Sequence, residues 1–143
     1  MKLTDDLLQK FNEQITLEFE ASMVYRQLAI AADDLDLSGM AAWLRHQADE
    51  EIVHANKFID HVADRDSFPT IGAIPAPPVQ AGLSALEIFR AALAHEQKVS
   101  EEIRTIARAA LDAQDLESRQ LVDWFLSEQV EEEATVSEIL DQI

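Results

Sequence analysis

The chain contains no cysteine, so disulfides, thiolate metal sites and cysteine nucleophiles are excluded. Glycine and proline are scarce, at 3 and 4 of 143 residues, well under their usual combined share of about 12%. A β-sandwich or barrel needs turn residues about every 8–12 positions, and this chain cannot supply them, which leaves mostly helix. Basic residues are few: 11 Lys and Arg stand against 28 Asp and Glu, a formal net charge of −17. A polyanion of this kind repels phosphate backbones and anionic headgroups, so nucleic acid and membrane surfaces are poor partners and cations are good ones. No apolar run approaches the about 20 residues that span a bilayer. The opening stretch Met1-Lys2-Leu3-Thr4-Asp5-Asp6 has no apolar signal region, and a cytoplasmic protein is expected.

What remains is substantial. Hydrophobic residues make up 48% of the chain, enough for a core in one domain of this length. Four stretches show helical periodicity, at about 4–32, 38–65, 84–111 and 115–142, joined across about 66–83 by a loop carrying all four prolines and two of the three glycines. Thr4 reads as the N-cap of the first helix, and Ser84 with Glu87 as a capping box opening the third. The connection between the first two helices is short and demands an antiparallel pair. Each helix is about 42 Å long at about 1.5 Å per residue. The long loop, reaching up to about 56 Å at about 3.3 Å per residue, can climb the full bundle and make the second and third helices parallel. The predicted fold is all-α: a ferritin-like four-helix bundle of two antiparallel hairpins joined by a crossover, forming a single domain over residues 1–143.

Glu18, Glu51, Glu96 and Gln129 lie near the midpoints of their helices, each on an otherwise apolar stripe, and midpoints of packed helices share one height. His54 follows Glu51 by three residues and Glu132 follows Gln129 by three, so each pair lies on one helical face. Adding 78 to Glu18, Glu50, Glu51 and His54 gives Glu96, Glu128, Gln129 and Glu132, so the two hairpins repeat one polar constellation. Removing carboxylates from water costs several kcal/mol per ion, and neighbouring like charges add to that. No Lys or Arg occupies these stripes near the layer. A pair of metal ions is the simplest counter-charge, and carboxylate with imidazole but no sulfur suits iron or manganese, with zinc as competitor. Two alternatives fit the same residues: a non-enzymatic acidic helical module that binds cations or a basic partner, and a fixed di-metal (Mn/Fe) oxidase site.

At these residues the chain resembles bacterial non-haem ferritins. The matching stretches are Asn12-Glu13-Gln14 through Glu18, Ala48-Asp49-Glu50-Glu51-Ile52-Val53-His54, His95-Glu96-Gln97, and Trp124 through Ser127-Glu128-Gln129-Val130-Glu131-Glu132-Glu133. They run in order across nearly the whole chain. The resemblance implies an iron-storage ferroxidase, in which Fe2+ is oxidised by O2 or H2O2 at a di-iron site within the subunit and ferric mineral is stored in a protein shell. Carried over, Glu18, Glu51 and His54 resemble the ligands of a first iron. Glu51 would bridge to a second, held also by Glu96 with Gln129 close by. Glu50, Glu128, Glu131 and Glu132 resemble a third-iron site, and Tyr25 matches a tyrosine beside the irons.

Neighbouring families fit less well. Bacterioferritins carry a second Glu-x-x-His on the fourth helix and a haem-ligating methionine, where this chain has Gln129, Glu132 and Ile52; no haem is expected. Rubrerythrins need a cysteine-rich module, and the small DNA-protecting ferritins carry lysine-rich tails. Typical ferritin subunits have a fifth helix lining four-fold channels, whereas this sequence ends at Ile143. That leaves open a shortened sequence or a shell with altered pores, and a homo-oligomer, a 24-subunit cage, is the expected assembly. Of the other histidines, His46, His61 and His95 are expected at the surface or at pores, and Trp43 and Trp124 in core packing.

Overall fold

The structure is a computed structural model that describes residues 2–143. Among the described residues there are four α-helices and no strands: α1 Asp5–Asp34, α2 Ser38–Asp64, α3 Ala85–Asp112 and α4 Arg119–Gln142, with one 3-10 turn, Leu116–Ser118, leading into α4. No helix among them is long and apolar enough to cross a membrane.

Local chemistry sets the helix ends. The Thr4 hydroxyl accepts the Leu7 N–H at 3.2 Å, and Asp5 and Asp6 place negative charge at the positive end of α1. Asp36, at φ 58°, turns the chain out of α1 and into α2. Gly82, at φ +85°, occupies backbone space that side chains rarely adopt, two residues before the Ser84–Glu87 capping box closes over the start of α3. The fourth helix starts later than the periodicity suggests. The Ser118 hydroxyl bonds to Asp115 Oδ2 at 3.1 Å instead of capping α4, and the preceding turn stays 3-10.

The segment between α2 and α3 climbs the outside of α1. Asn12 Nδ2 donates to the Phe68 carbonyl at 3.4 Å, Thr70 N–H donates to Asn12 Oδ1 at 3.0 Å, and Gly72 N–H donates to Thr16 Oγ1 at 2.8 Å. A later loop residue thus meets a later turn of α1, and α3 is delivered to the end where α1 finishes. There Val79 and Leu83 pack on the core.

The core is split in two. One cluster joins Leu7, Phe11 and Ile15 of α1 to Phe58 and Val62 of α2, Ile103 and Ile106 of α3, and Val122 and Phe125 of α4. The other joins Val24, Tyr25 and Leu28 of α1 to Ala41 and Leu44 of α2, Ile88 and Phe89 of α3, and Val136 of α4. The start of α1 therefore packs with the ends of α2 and α3, making α2 and α3 parallel to each other and antiparallel to α1. Between the two clusters lies a buried polar waist.

Candidate metal centre

The waist is assembled from one turn of each helix. Glu18 and Glu96 are fully buried, Glu51 and His54 are 1% exposed, and Gln129 is 4% exposed. Helical spacing puts each on an inward stripe, and the apolar residues above and below leave it no way out to water. Glu18, Glu51 and His54 bring their ligand atoms within 4.8 Å of one another. Glu51, Glu96 and Glu132 form a second such group, and His54, Glu128 and Glu132 a third.

Hydrogen bonds explain only part of this cluster. Gln14 Nε2 donates to Glu18 Oε1 at 3.0 Å, and His54 Nδ1 lies 3.2 Å from Glu51 Oε2 and 3.7 Å from Glu18 Oε2. On its far side, His54 Nε2 lies 3.9 Å from Glu128 Oε1. Glu18 Oε2, Glu51 Oε1 and both oxygens of Glu96 are buried with no hydrogen-bond partner. Native folds rarely leave such groups unsatisfied, and carboxylate oxygens that accept no hydrogen are suited to a cation.

The charges respond accordingly. Burial, then Glu51, Glu132 and Glu18, push the Glu96 carboxyl up to about 11. Burial and the negative charge of Glu18 raise Glu51 well above the carboxylate range. Burial also opposes charge on Glu18, but the adjoining His54, Glu51 and Gln14 side chains and the charge of His54 more than offset it, so Glu18 lies below that range. Burial disfavours imidazolium at His54, yet Glu18, Glu132 and Glu128 raise it on balance. Without a metal the waist holds protons in place of cations.

The other expected residues divide. Tyr25 is fully buried beside the waist, its hydroxyl without a hydrogen-bond partner. Burial and the fields of Glu96, Glu51 and Glu132 raise it well above the tyrosine range, so it stays protonated. Gln129 turns its amide nitrogen to α3, donating to the Glu96 carbonyl at 3.2 Å and to Ser100 Oγ at 3.0 Å. Glu128 and Glu132 join His54, while Glu50, 3.7 Å from His46, and exposed Glu131 fall outside all three groups. His46 is exposed, but His61 and His95 are not free surface groups. The His61 ring packs on Phe11, with Nε2 2.8 Å from Ser118 Oγ, and His95 Nε2 is buried without a partner. Trp43 packs edge-on against Tyr25, whereas Trp124 is 39% exposed, edge-on to His54 and covered by Lys57 4.3 Å from its ring centre. Stacked Phe58 and Phe125, 4.1 Å apart, form the floor.

Sequence reasoning gave no role to Gln14 and Gln47. Gln47 Nε2 donates to Glu132 Oε2 at 2.6 Å. A signal was present: a glutamine stands one turn before Glu18 and again one turn before Glu51.

Comparison with known proteins agrees with this geometry. The family model described as "Ferritin-like domain" matches residues 8–143. A bacterial non-heme ferritin of Escherichia coli O6:H1 is 32% identical over 99% of this chain and 85% of its own length. One of Staphylococcus saprophyticus is 36% identical over 99% of this chain and 84% of its own length. Among solved structures, an iron-soaked variant of the protein PmFTN superposes with a TM-score of 0.94 at 32% identity, covering 98% of this chain and 89% of that one. An open pore ferritin from the hyperthermophilic archaeon Archaeoglobus fulgidus also gives 0.94, at 29% identity over 98% of this chain and 85% of that one. The buried carboxylate and histidine waist, the crossover bundle and these matches together place the chain in the ferritin family, among the bacterial non-haem ferritins.

Proposed function

We propose that the chain is an iron-storage ferroxidase whose substrate, Fe2+, binds at the waist, is oxidised by O2 or H2O2, and passes as ferric iron to mineral inside a shell of 24 copies. The observation that carries this reading is the set of unpartnered carboxylate oxygens on Glu18, Glu51 and Glu96 beside His54. In this reading Glu18, Glu51 and His54 hold one iron, Glu51, Glu96 and Glu132 a second, and Glu128 with Glu132 a third position. Anionic oxygen ligands favour Fe3+ over Fe2+ and make electron loss downhill. Two ferrous ions supply the two electrons that reduce one dioxygen to hydrogen peroxide, and hydrolysis of the ferric ions releases protons. Protein donors are too few to fill two octahedra, so positions stay open for water and the oxidant. The protonated Tyr25 hydroxyl stands next to them as a neutral donor. Assembly is supported by large apolar side chains left exposed on a single chain, among them Phe68 at 79%, Leu111 at 78% and Leu116 at 72%.

Aerobic loading with Fe2+ tests the proposal. The expected result is a large particle by gel filtration that retains many more than three irons per chain. Glu51→Ala should slow rapid oxidation by about 10- to 100-fold, the range that even groups behind metal ligands command. Unaltered kinetics in that variant, or metal uptake that stops at two ions per chain, overturns it.

A further inference from the structure

Glu132 is the one carboxylate shared by the group containing Glu51 and Glu96 and the group containing His54 and Glu128. Its side chain is held within reach of both, and the holder comes from another helix. Gln47, on α2, is 8% exposed, and its Nε2 donates to Glu132 Oε2 on α4 at 2.6 Å. That bond fixes one carboxylate oxygen against α2 and leaves the other for metal. An amide suits the task. It donates without charge, where Lys or Arg would cancel the negative charge a cation needs and a carboxylate would repel Glu132. Gln129 has no free N–H to offer, because its amide nitrogen is engaged by the Glu96 carbonyl and Ser100.

We propose that Gln47 is the positioning residue that holds Glu132 in place for the second metal position, with Glu51 and Glu96. This rests on the metal-binding reading of the waist. Neutral hydrogen-bond partners behind metal ligands typically govern affinity by about 10- to 100-fold, and here the effect falls on one position and spares the other side of Glu51.

The test uses Zn2+, which binds without redox chemistry, on the assembled protein. Zinc anomalous diffraction from soaked crystals reads the positions separately, and titration reads affinity. Gln47→Met keeps the length but removes the donor, and Gln47→Leu serves in its place if that variant does not fold. The expected outcome is full zinc occupancy at Glu18–Glu51–His54 and at least about ten-fold weaker binding at Glu51–Glu96–Glu132. In a Glu132→Gln background, Gln47→Met should change zinc affinity by less than about two-fold, because the residue acts through Glu132. Equal loss at both positions, unchanged binding, or additive effects overturn the proposal while leaving the metal reading intact. Wild-type protein that takes no zinc at the waist overturns both.

Discussion

Glu96 shows most sharply what a carboxylate does in this waist. Neither of its oxygens has a hydrogen-bond partner, and burial followed by its acidic neighbours pushes its carboxyl up to about 11. Near neutral pH the metal-free protein must keep a proton there that the unfolded chain would release. Glu96→Gln keeps the shape and never ionises. It should raise the melting temperature of the metal-free protein at pH 8 by at least about 2 °C, the shift that about 1 kcal/mol makes in a chain of this size, while weakening zinc binding. Calorimetry with and without zinc checks both halves, and a lower metal-free melting temperature would contradict the assignment. The common height of Glu18, Glu51, His54 and Glu96 was legible from helix midpoints and the 78-residue spacing. The side-chain turns were not. Periodicity fixes the direction of Cβ but not the χ angles beyond it, so nothing in the pattern revealed that Gln129 would face α3 or that Glu132 would lean on Gln47.

Between elements, the end of α2 is tied to the turn before α4. Arg65 Nη1 donates to both oxygens of Asp115, at 2.8 and 3.1 Å, and to Ser118 Oγ at 3.1 Å, with His61 completing the cluster. Arg65 is 8% exposed, so removing Asp115 strips a buried guanidinium of a carboxylate partner. Asp115→Ala should cost about 3 kcal/mol, as breaking a buried pair does, and lower the melting temperature by about 6–12 °C. A loss near zero would mean that the tie contributes nothing to the fold. The bundle class, the capping box at Ser84 and the need for a climbing loop follow from spacing alone. This corner does not, since its partners lie 50 residues apart and meet only once the hairpins have docked.

At the scale of the whole molecule, a net charge of −17 and a carboxylate waist make stability depend on what fills that waist. Glu51 and Glu96 are raised in the fold, so their contribution is fully present below the ordinary glutamate value of 4.5. It is lost as pH climbs toward the folded values, about 11 for Glu96. His54, also raised, has the same sign and loses its contribution above its ordinary value of about 6.5. His61 and His95 oppose this: burial lowers both, so their contribution is present above the ordinary histidine value of about 6.5 and is lost as pH falls below it. Glu18, lowered, likewise matters only in acid. From pH 7.0 to 8.5 the folded, metal-free protein therefore binds more protons than the unfolded chain, and its melting temperature should fall across that window. Zinc replaces those protons, so its affinity rises with pH, and because a ligand stabilises in proportion to the logarithm of its concentration over Kd, the zinc-induced increase in melting temperature should grow over the same range. Calorimetry at three pH values, with and without saturating zinc, measures both slopes. A metal-free melting temperature that rises with pH, or a zinc increment that shrinks, would show that the waist is not held together by exchange of protons for cations.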